Sequence, residues 1–131
     1  MIVKPDGVER GLIGEIVSRL EKRQLTLVAA ELRSIDAATA KQHYAEHEGK
    51  AFFDSLVTFI TRSPALVMVV EGPEDTWKVV RTMMGATNPA DSAPGTIRGD
   101  LATEMSENLI HGSDSSESAA REIEIFFPDL A

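Results

Sequence analysis

Ala65-Leu66-Val67-Met68-Val69-Val70 is a nearly unbroken apolar run that starts just after Ser63-Pro64 and stops short of Pro73. Six residues are far too few for the ~20 that a membrane helix needs. Proline and glycine on either side argue against a long buried helix. What remains is a β-strand buried on both faces, so the fold must contain a sheet whose middle is shielded from water.

The rest of the chain supplies the covering layers. Ile2 to Lys4 reads as a short strand, with Pro5 holding Lys4 extended at its carboxyl end and Asp6-Gly7 giving a turn. Leu12, Ile13, Ile16, Val17 and Leu20 recur at helical spacing opposite Glu15, Arg19, Glu21 and Lys22, which predicts a helix from about Gly11 to Arg23. A strand over Leu25 to Ile35 follows. Asp36 suits the N-cap of a helix through Thr39 to His47, and a second helix is expected over Ala51 to Arg62. Beyond the apolar strand, Pro73 opens a helix through Trp77, Val80 and Met84 that Gly85 closes.

Residues 86–100 hold Pro89, Pro94, Gly95 and Gly99 and show no periodicity, so they are expected to form a long loop, of the kind that usually carries function. Asn108-Leu109-Ile110-His111 is then a strand. A last helix is expected to use Asp114 and Glu117 as a capping box, with Ala120, Ile123 and Phe127 as its buried stripe. This order reduces to a split βαβ pattern, an α/β arrangement with the sheet covered by helices on one face. At 131 residues the chain fits one domain.

Composition removes several kinds of chemistry. There is no cysteine, which excludes disulfides, thiolate metal sites and cysteine nucleophiles. A formal charge of −8 argues against nonspecific nucleic-acid binding, and no run is apolar enough for a membrane span. With no room for a leader before the first strand, a cytoplasmic protein is expected. Neither GxGxxG nor GxxxxGK[ST] occurs, so neither a dinucleotide-binding turn nor a P-loop is supported.

Net negative charge leaves room for a small anion, because one cation ~4 Å from a phosphate oxygen contributes about 4 kcal/mol where the effective dielectric is ~20. Arg81 precedes the long loop, and Thr87, Thr96 and Arg98 lie within it. Guanidinium forks match phosphate oxygens, and prolines lower the entropy a loop loses when it clamps a ligand. His111 completes the set: an apolar stretch ends on an imidazole followed at once by Gly112-Ser113-Asp114, which presents a ring nitrogen for chemistry. His43 and His47 have i, i+4 spacing that could hold zinc, but with no third ligand evident they read as a solvated helix face.

Together, Val3-Lys4-Pro5-Asp6-Gly7-Val8, His43-Tyr44-Ala45-Glu46-His47, Phe52-Phe53, the Thr87-to-Asp100 loop and Asn108-Leu109-Ile110-His111-Gly112-Ser113-Asp114-Ser115 with Glu117-Ser118-Ala119 strongly resemble nucleoside diphosphate kinases, in register along essentially the whole chain. The resemblance implies a ferredoxin-like α/β sandwich with a four-stranded antiparallel sheet. It also implies reversible ping-pong transfer of a γ-phosphate between nucleoside triphosphates and diphosphates, ATP and GTP among them. His111 would be the nucleophile and Glu122 the partner of its other ring nitrogen, with Ser113 helping to hold the pair. Lys4, Tyr44, Arg81, Thr87 and Arg98 would contact phosphates, and Lys4 and Asn108 the sugar. Phe52 would stack on the base, with Leu56 and Met105 completing the slot. Mg²⁺ would arrive on the substrate phosphates rather than in a protein cage. A homohexamer is implied, a tetramer being the alternative. Ser106-Glu107 departs from the family's more usual Gly-Arg and replaces a cation by an anion.

Overall fold

The computed structural model describes residues 1–131. Its strands are β1 (Ile2–Val3), β2 (Thr26–Arg33), β3 (Ala65–Glu71) and β4 (Ile110–His111). The helices are α1 (Pro5–Glu9), α2 (Ile13–Lys22), α3 (Ala37–His43), α4 (Phe53–Thr61), α5 (Thr76–Met84), α6 (Ile97–Leu101) and α7 (Ser116–Phe126). All strand pairs are antiparallel, in the order β2-β3-β1-β4. The four-stranded antiparallel sheet with helices agrees with the expected fold class.

The apolar run is β3, and its alternation explains why it is apolar throughout. Leu66 and Met68 point into a cluster with Val3, Ile16, Leu20, Val80, Met84, Leu109 and Ile110. Ala65 and Val67 point the other way, toward Ile2, Ala40, Tyr44, Val57, Ile60 and Phe126. Helices therefore cover both faces of the sheet: α2 and α5 on one, α3, α4 and α7 on the other. The expectation of a single covered face is corrected here, and the reason lies in β3 itself, since a strand apolar on both sides must be buried on both. Fully burying each such side chain contributes roughly 1.5–3 kcal/mol.

Several local expectations shift. Pro5-Asp6-Gly7 is the first turn of α1, with Pro5 at a position where a missing N–H costs nothing. The helix after β3 begins at Thr76 and not at Pro73, behind Asp75 in the left-handed region at φ 59°. The 86–100 loop carries a 3-10 turn at Pro89–Asp91 and the short α6, whose Thr96 hydroxyl accepts from the Gly99 amide. The cap of α7 is Ser115, which accepts from Ser118 N, while Asp114 receives the Ser118 hydroxyl at 2.6 Å. The buried side of α7 falls on Glu122 and Phe126, one step off the expected stripe, because the helix turns a carboxylate toward β4.

Candidate active site

β1 and β4 are too short to act as structural strands of any weight, and their worth lies in what they align. The register pairs Ile2 with His111 and Val3 with Ile110. Cross-strand partners share a face, so Ile110 joins the closed cluster of α2 and α5, while His111 lies on the side of Ile2, under α3 and α7. A quarter of the His111 side chain stays exposed.

There it meets Glu122 and His43. His111 Nε2 makes a short hydrogen bond with Glu122 Oε1. The ring of His43 stands edge-on to that of His111, centroids 4.5 Å apart, and His43 Nδ1 lies 3.7 Å from the same carboxylate oxygen. His43 is itself buried and neither of its ring nitrogens has a hydrogen-bond partner. Its expected place on a solvated helix face is thereby corrected. Ala40, His43 and Tyr44 share the inward side of α3, and that i, i+3, i+4 spacing was the signal that could have found it.

Desolvation is the main influence on these groups. It pushes His43 down to about 3 and His111 well below the ordinary imidazole range, so both rings are neutral at physiological pH. The Met1 amine and then Lys4, Arg81 and Arg98 push His111 the same way. Burial raises Glu122, partly offset by His43, the Met1 amine, Arg121 and the Ser113 hydroxyl. With Nε2 engaged by Glu122, the lone pair of a neutral ring is left on Nδ1.

The backbone that carries His111 is held from both sides. Leu109 sits at φ 74°, a conformation that costs a leucine of order 1 kcal/mol or more. Its amide donates to Asp6 Oδ2 at 3.0 Å, and its carbonyl receives Lys4 N at 2.8 Å. Asp6 is buried, and desolvation raises its pKa against the pull of that bond and of Lys4. Sequence reading missed this role for Asp6, because nothing local marks Leu109 as left-handed. Gly112 follows where a Cβ would meet Met84 Sδ at 2.5 Å, so the strand lies tight against α5.

Arg98 ties the same segment across its back: Nε donates to Asn108 O at 3.0 Å and Nη2 to Ile110 O at 2.6 Å. Its Nη1 holds the carbonyls of Gly85 and Ala86 by longer bonds of 3.4 and 3.3 Å. Arg81 Nη1 donates to Gly112 O at 2.9 Å. Lys4 Nζ donates to Asn108 Oδ1 at 2.8 Å, and Asn108 Nδ2 to the Thr87 carbonyl at 3.0 Å. Burial and the Arg98 charge lower Lys4 to about 8, and burial and Arg81 lower Arg98 to about 10. Lys4, Arg81, Thr87, Arg98 and Asn108 thus share one connected network around the Asn108–Gly112 segment.

The remaining expected residues lie along α3 and α4. Tyr44 is buried against His43, ring centroids 4.6 Å apart, and burial raises its hydroxyl to about 12. Phe52 is 47% exposed beside the His47 ring at 5.3 Å, an aromatic face open to solvent. Leu56 is partly buried one helical turn on, and Met105 is 60% exposed within the Glu104-to-Glu107 turn. Glu107 is explained by Arg62, whose guanidinium bridges it at 2.8 Å and Glu9 at 2.7 Å, so the anion pins this turn to the body of the protein.

A mostly apolar groove of about 370 Å³ runs between α5 and α7, bordered by Val69, Trp77, Ala119, Ile123 and Phe127. It lacks Lys4, Arg81 and Arg98, but Met1, Ser113 and Glu122 line it, so it reaches the far side of the Glu122 carboxylate. As for metals, His43, His111 and Glu122 are the one cluster of possible ligands brought together, and two imidazoles suit Mg²⁺ poorly because that ion prefers oxygen. The cations around Asn108 instead suit an anion. No helix is long and apolar enough to cross a membrane.

Comparison with known proteins accords with this arrangement. A family model described as nucleoside diphosphate kinase matches residues 1–131. The nucleoside diphosphate kinase of Methanosarcina barkeri is 57% identical over 129 residues, covering 98% of this chain and 86% of that protein. The one from Frankia casuarinae is 54% identical over 131 residues, covering 100% and 95%. Among solved structures, that of a halophilic nucleoside diphosphate kinase from Halobacterium salinarum in complex with CDP superposes with a TM-score of 0.94 at 53% identity, covering 98% of this chain and 86% of that one. A Babesia bovis family structure gives 0.94 at 46% identity, with the same coverage.

Proposed function

The chain belongs to the nucleoside diphosphate kinase family of phosphotransferases, and from that premise we propose that it moves the γ-phosphate of a nucleoside triphosphate to a nucleoside diphosphate through a phosphohistidine on His111. The observation that carries this reading is the bond from Nε2 to Glu122, which leaves a neutral ring with its lone pair on Nδ1 at the edge of a cationic network.

In the first half-reaction Nδ1 attacks the γ-phosphorus; the N–P bond forms, the bond from phosphorus to the β,γ-bridging oxygen breaks, and the nucleoside diphosphate leaves with that oxygen. The ring becomes an imidazolium whose Nε2 proton stays on the hydrogen bond to Glu122, and the carboxylate offsets the charge. A second diphosphate then takes the phosphoryl group by the reverse path. Because the transferred group is loosely bonded in the transition state, positioning and positive charge account for most of the catalysis.

Each expected residue has a place in this scheme. Lys4 and Arg81 stand closest to the role of phosphate cations, aided by the Thr87 and Tyr44 hydroxyls. Arg98 holds the Asn108–Gly112 segment in line, and its Nη1, on the longer bonds, is the donor free to exchange a carbonyl for a phosphate oxygen. Lys4 and Asn108 serve the sugar, and Ser113 supports Glu122. Phe52 offers a π-face that any base can use, with Leu56 and Met105 beside it, which supports broad base specificity. Mg²⁺ comes and goes on the nucleotide phosphates as part of the substrate. For assembly we infer a homo-oligomer, a hexamer before a tetramer, supported by Val28 and Leu32, which β2 leaves 45% and 57% exposed.

The test is incubation with γ-labelled ATP and Mg²⁺. Acid-labile, base-stable label that GDP discharges is expected on the protein and absent from His111→Ala. Label persisting on that variant, or no label on the parent, overturns the reading.

A further inference from the structure

His43 poses a problem that phosphoryl transfer leaves unsolved. A buried imidazole normally satisfies at least one ring nitrogen, since an unmet polar group out of water costs about 1–3 kcal/mol. Here both nitrogens lack partners although the side chain is only 2% exposed. A ring used purely for packing could be an aromatic hydrocarbon. This one instead directs Nδ1 toward the carboxylate that already holds His111.

We propose that His43, His111 and Glu122 are a latent chelating site for a zinc-class divalent cation, whose occupation switches off the nucleophile. One ligand atom from each residue lies within 4.8 Å of the others. A tetrahedral ion with bonds of about 2.0–2.2 Å holds its ligands roughly 3.3 Å apart; His43 Nδ1 is already 3.7 Å from Glu122 Oε1, and an outward shift of Glu122 from His111 with a closing movement between the two imidazoles completes the set. Two neutral imidazoles and one carboxylate match the ligand preference of zinc and not of Mg²⁺. The groove between α5 and α7, which Glu122 and Ser113 line, gives a route in and room for water as a fourth ligand. Lys4, Arg81, Arg98 and the Met1 amine lie near enough to oppose a cation, so the site binds less tightly than a structural zinc centre.

The effect on chemistry follows from proton bookkeeping. An ion on Nε2 takes the lone pair made when the Nε2 proton departs, and the neutral ring then carries its one proton on Nδ1. That nitrogen no longer has a lone pair for phosphorus. Binding itself does not depend on the proposed reaction; the inhibition rests on that reading of His111.

Nucleotide-free protein titrated with Zn²⁺ against a chromophoric chelator is expected to take one ion per chain, and Co²⁺ to give a visible d–d band from a site of low coordination number. His43→Gln and Glu122→Gln should each weaken Zn²⁺ at least about 10-fold, the lower limit seen when even supporting groups of a metal site are lost. His47→Gln, an exposed histidine on the same segment, should leave the affinity unchanged; thermal melts show whether each variant is folded. In the second arm, Zn²⁺ should suppress labelling of the parent by γ-labelled ATP at the concentration that fills the site, and His43→Gln should need at least about 10-fold more. The proposal is overturned if the parent binds no stoichiometric ion, if folded His43→Gln and Glu122→Gln both keep parental affinity, if His47→Gln abolishes binding, or if label forms at the normal rate with the site full. A His43-dependent site on a protein that takes no label even without Zn²⁺ upholds chelation and instead defeats the proposed phosphotransfer.

Discussion

The two faces of the sheet are built to opposite specifications. Under α2 and α5 the packed side chains form an apolar cluster, from Val3 and Leu66 to Met84 and Ile110. Under α3, α4 and α7 the same strands present Ile2, Ala65 and Val67, but the layer also takes in His43, Glu122 and the inner edge of His111. The first face stabilises. The second gives up some of that stability to keep polar groups dry, and desolvation then sets their proton positions, raising Glu122 and lowering both histidines. One strand pair, two residues long, serves both: Ile110 anchors the closed face and the next residue, His111, lies on the other.

The comparison breaks most sharply at Met68. Met68→Ala should cost about 2–5 kcal/mol in denaturant unfolding with activity per folded molecule retained; a specific loss of activity would mean the closed face also tunes the site. Next is Glu122→Gln, expected to lower turnover about 10–100-fold. Because the folded pKa of Glu122 is raised, its favourable contribution is present below the unfolded value and lost as pH climbs through the folded one. The variant should therefore be at least as stable as the parent at pH 7, as thermal melts would show. Smaller still is the effect of Lys4, whose value is lowered to about 8. KM for the nucleotide should rise several-fold above that pH as the charge is lost, and Lys4→Arg should remove this alkaline limb. Stability runs the other way: the cost of the buried ammonium is present below pH 8 and disappears as pH passes the unfolded value near ~10.4. Least of all, Glu107→Gln breaks only an exposed ion pair and should change unfolding by under ~1 kcal/mol.

The closed face was readable in the sequence because its signal is periodic: the run at β3 and the spacing of Ile16 and Leu20 follow directly from burial. The cations and His111 were marked by glycine, proline and the family likeness. What stayed hidden has no local signature. Leu109 is left-handed because Asp6, far off in the chain, holds its amide. Glu122 displaced the expected stripe of α7 because tertiary contact with His111 outweighed an apolar preference. His43 looked solvated because a spacing to His47 drew notice away from the one to Ala40. The short α1 was masked by Asp6-Gly7, which reads equally well as a turn.

The strand order has a consequence for growth. Only one rim of the sheet, β2, is long enough to accept another strand, since the opposite rim ends on the two residues of β4. A body with two adhesive rims adds copies without limit and makes fibres, whereas a body with one is capped by its first neighbour. Any rim-to-rim contact here would use both β2 strands at once and leave no rim for a third copy, so growth beyond a pair would need other surfaces.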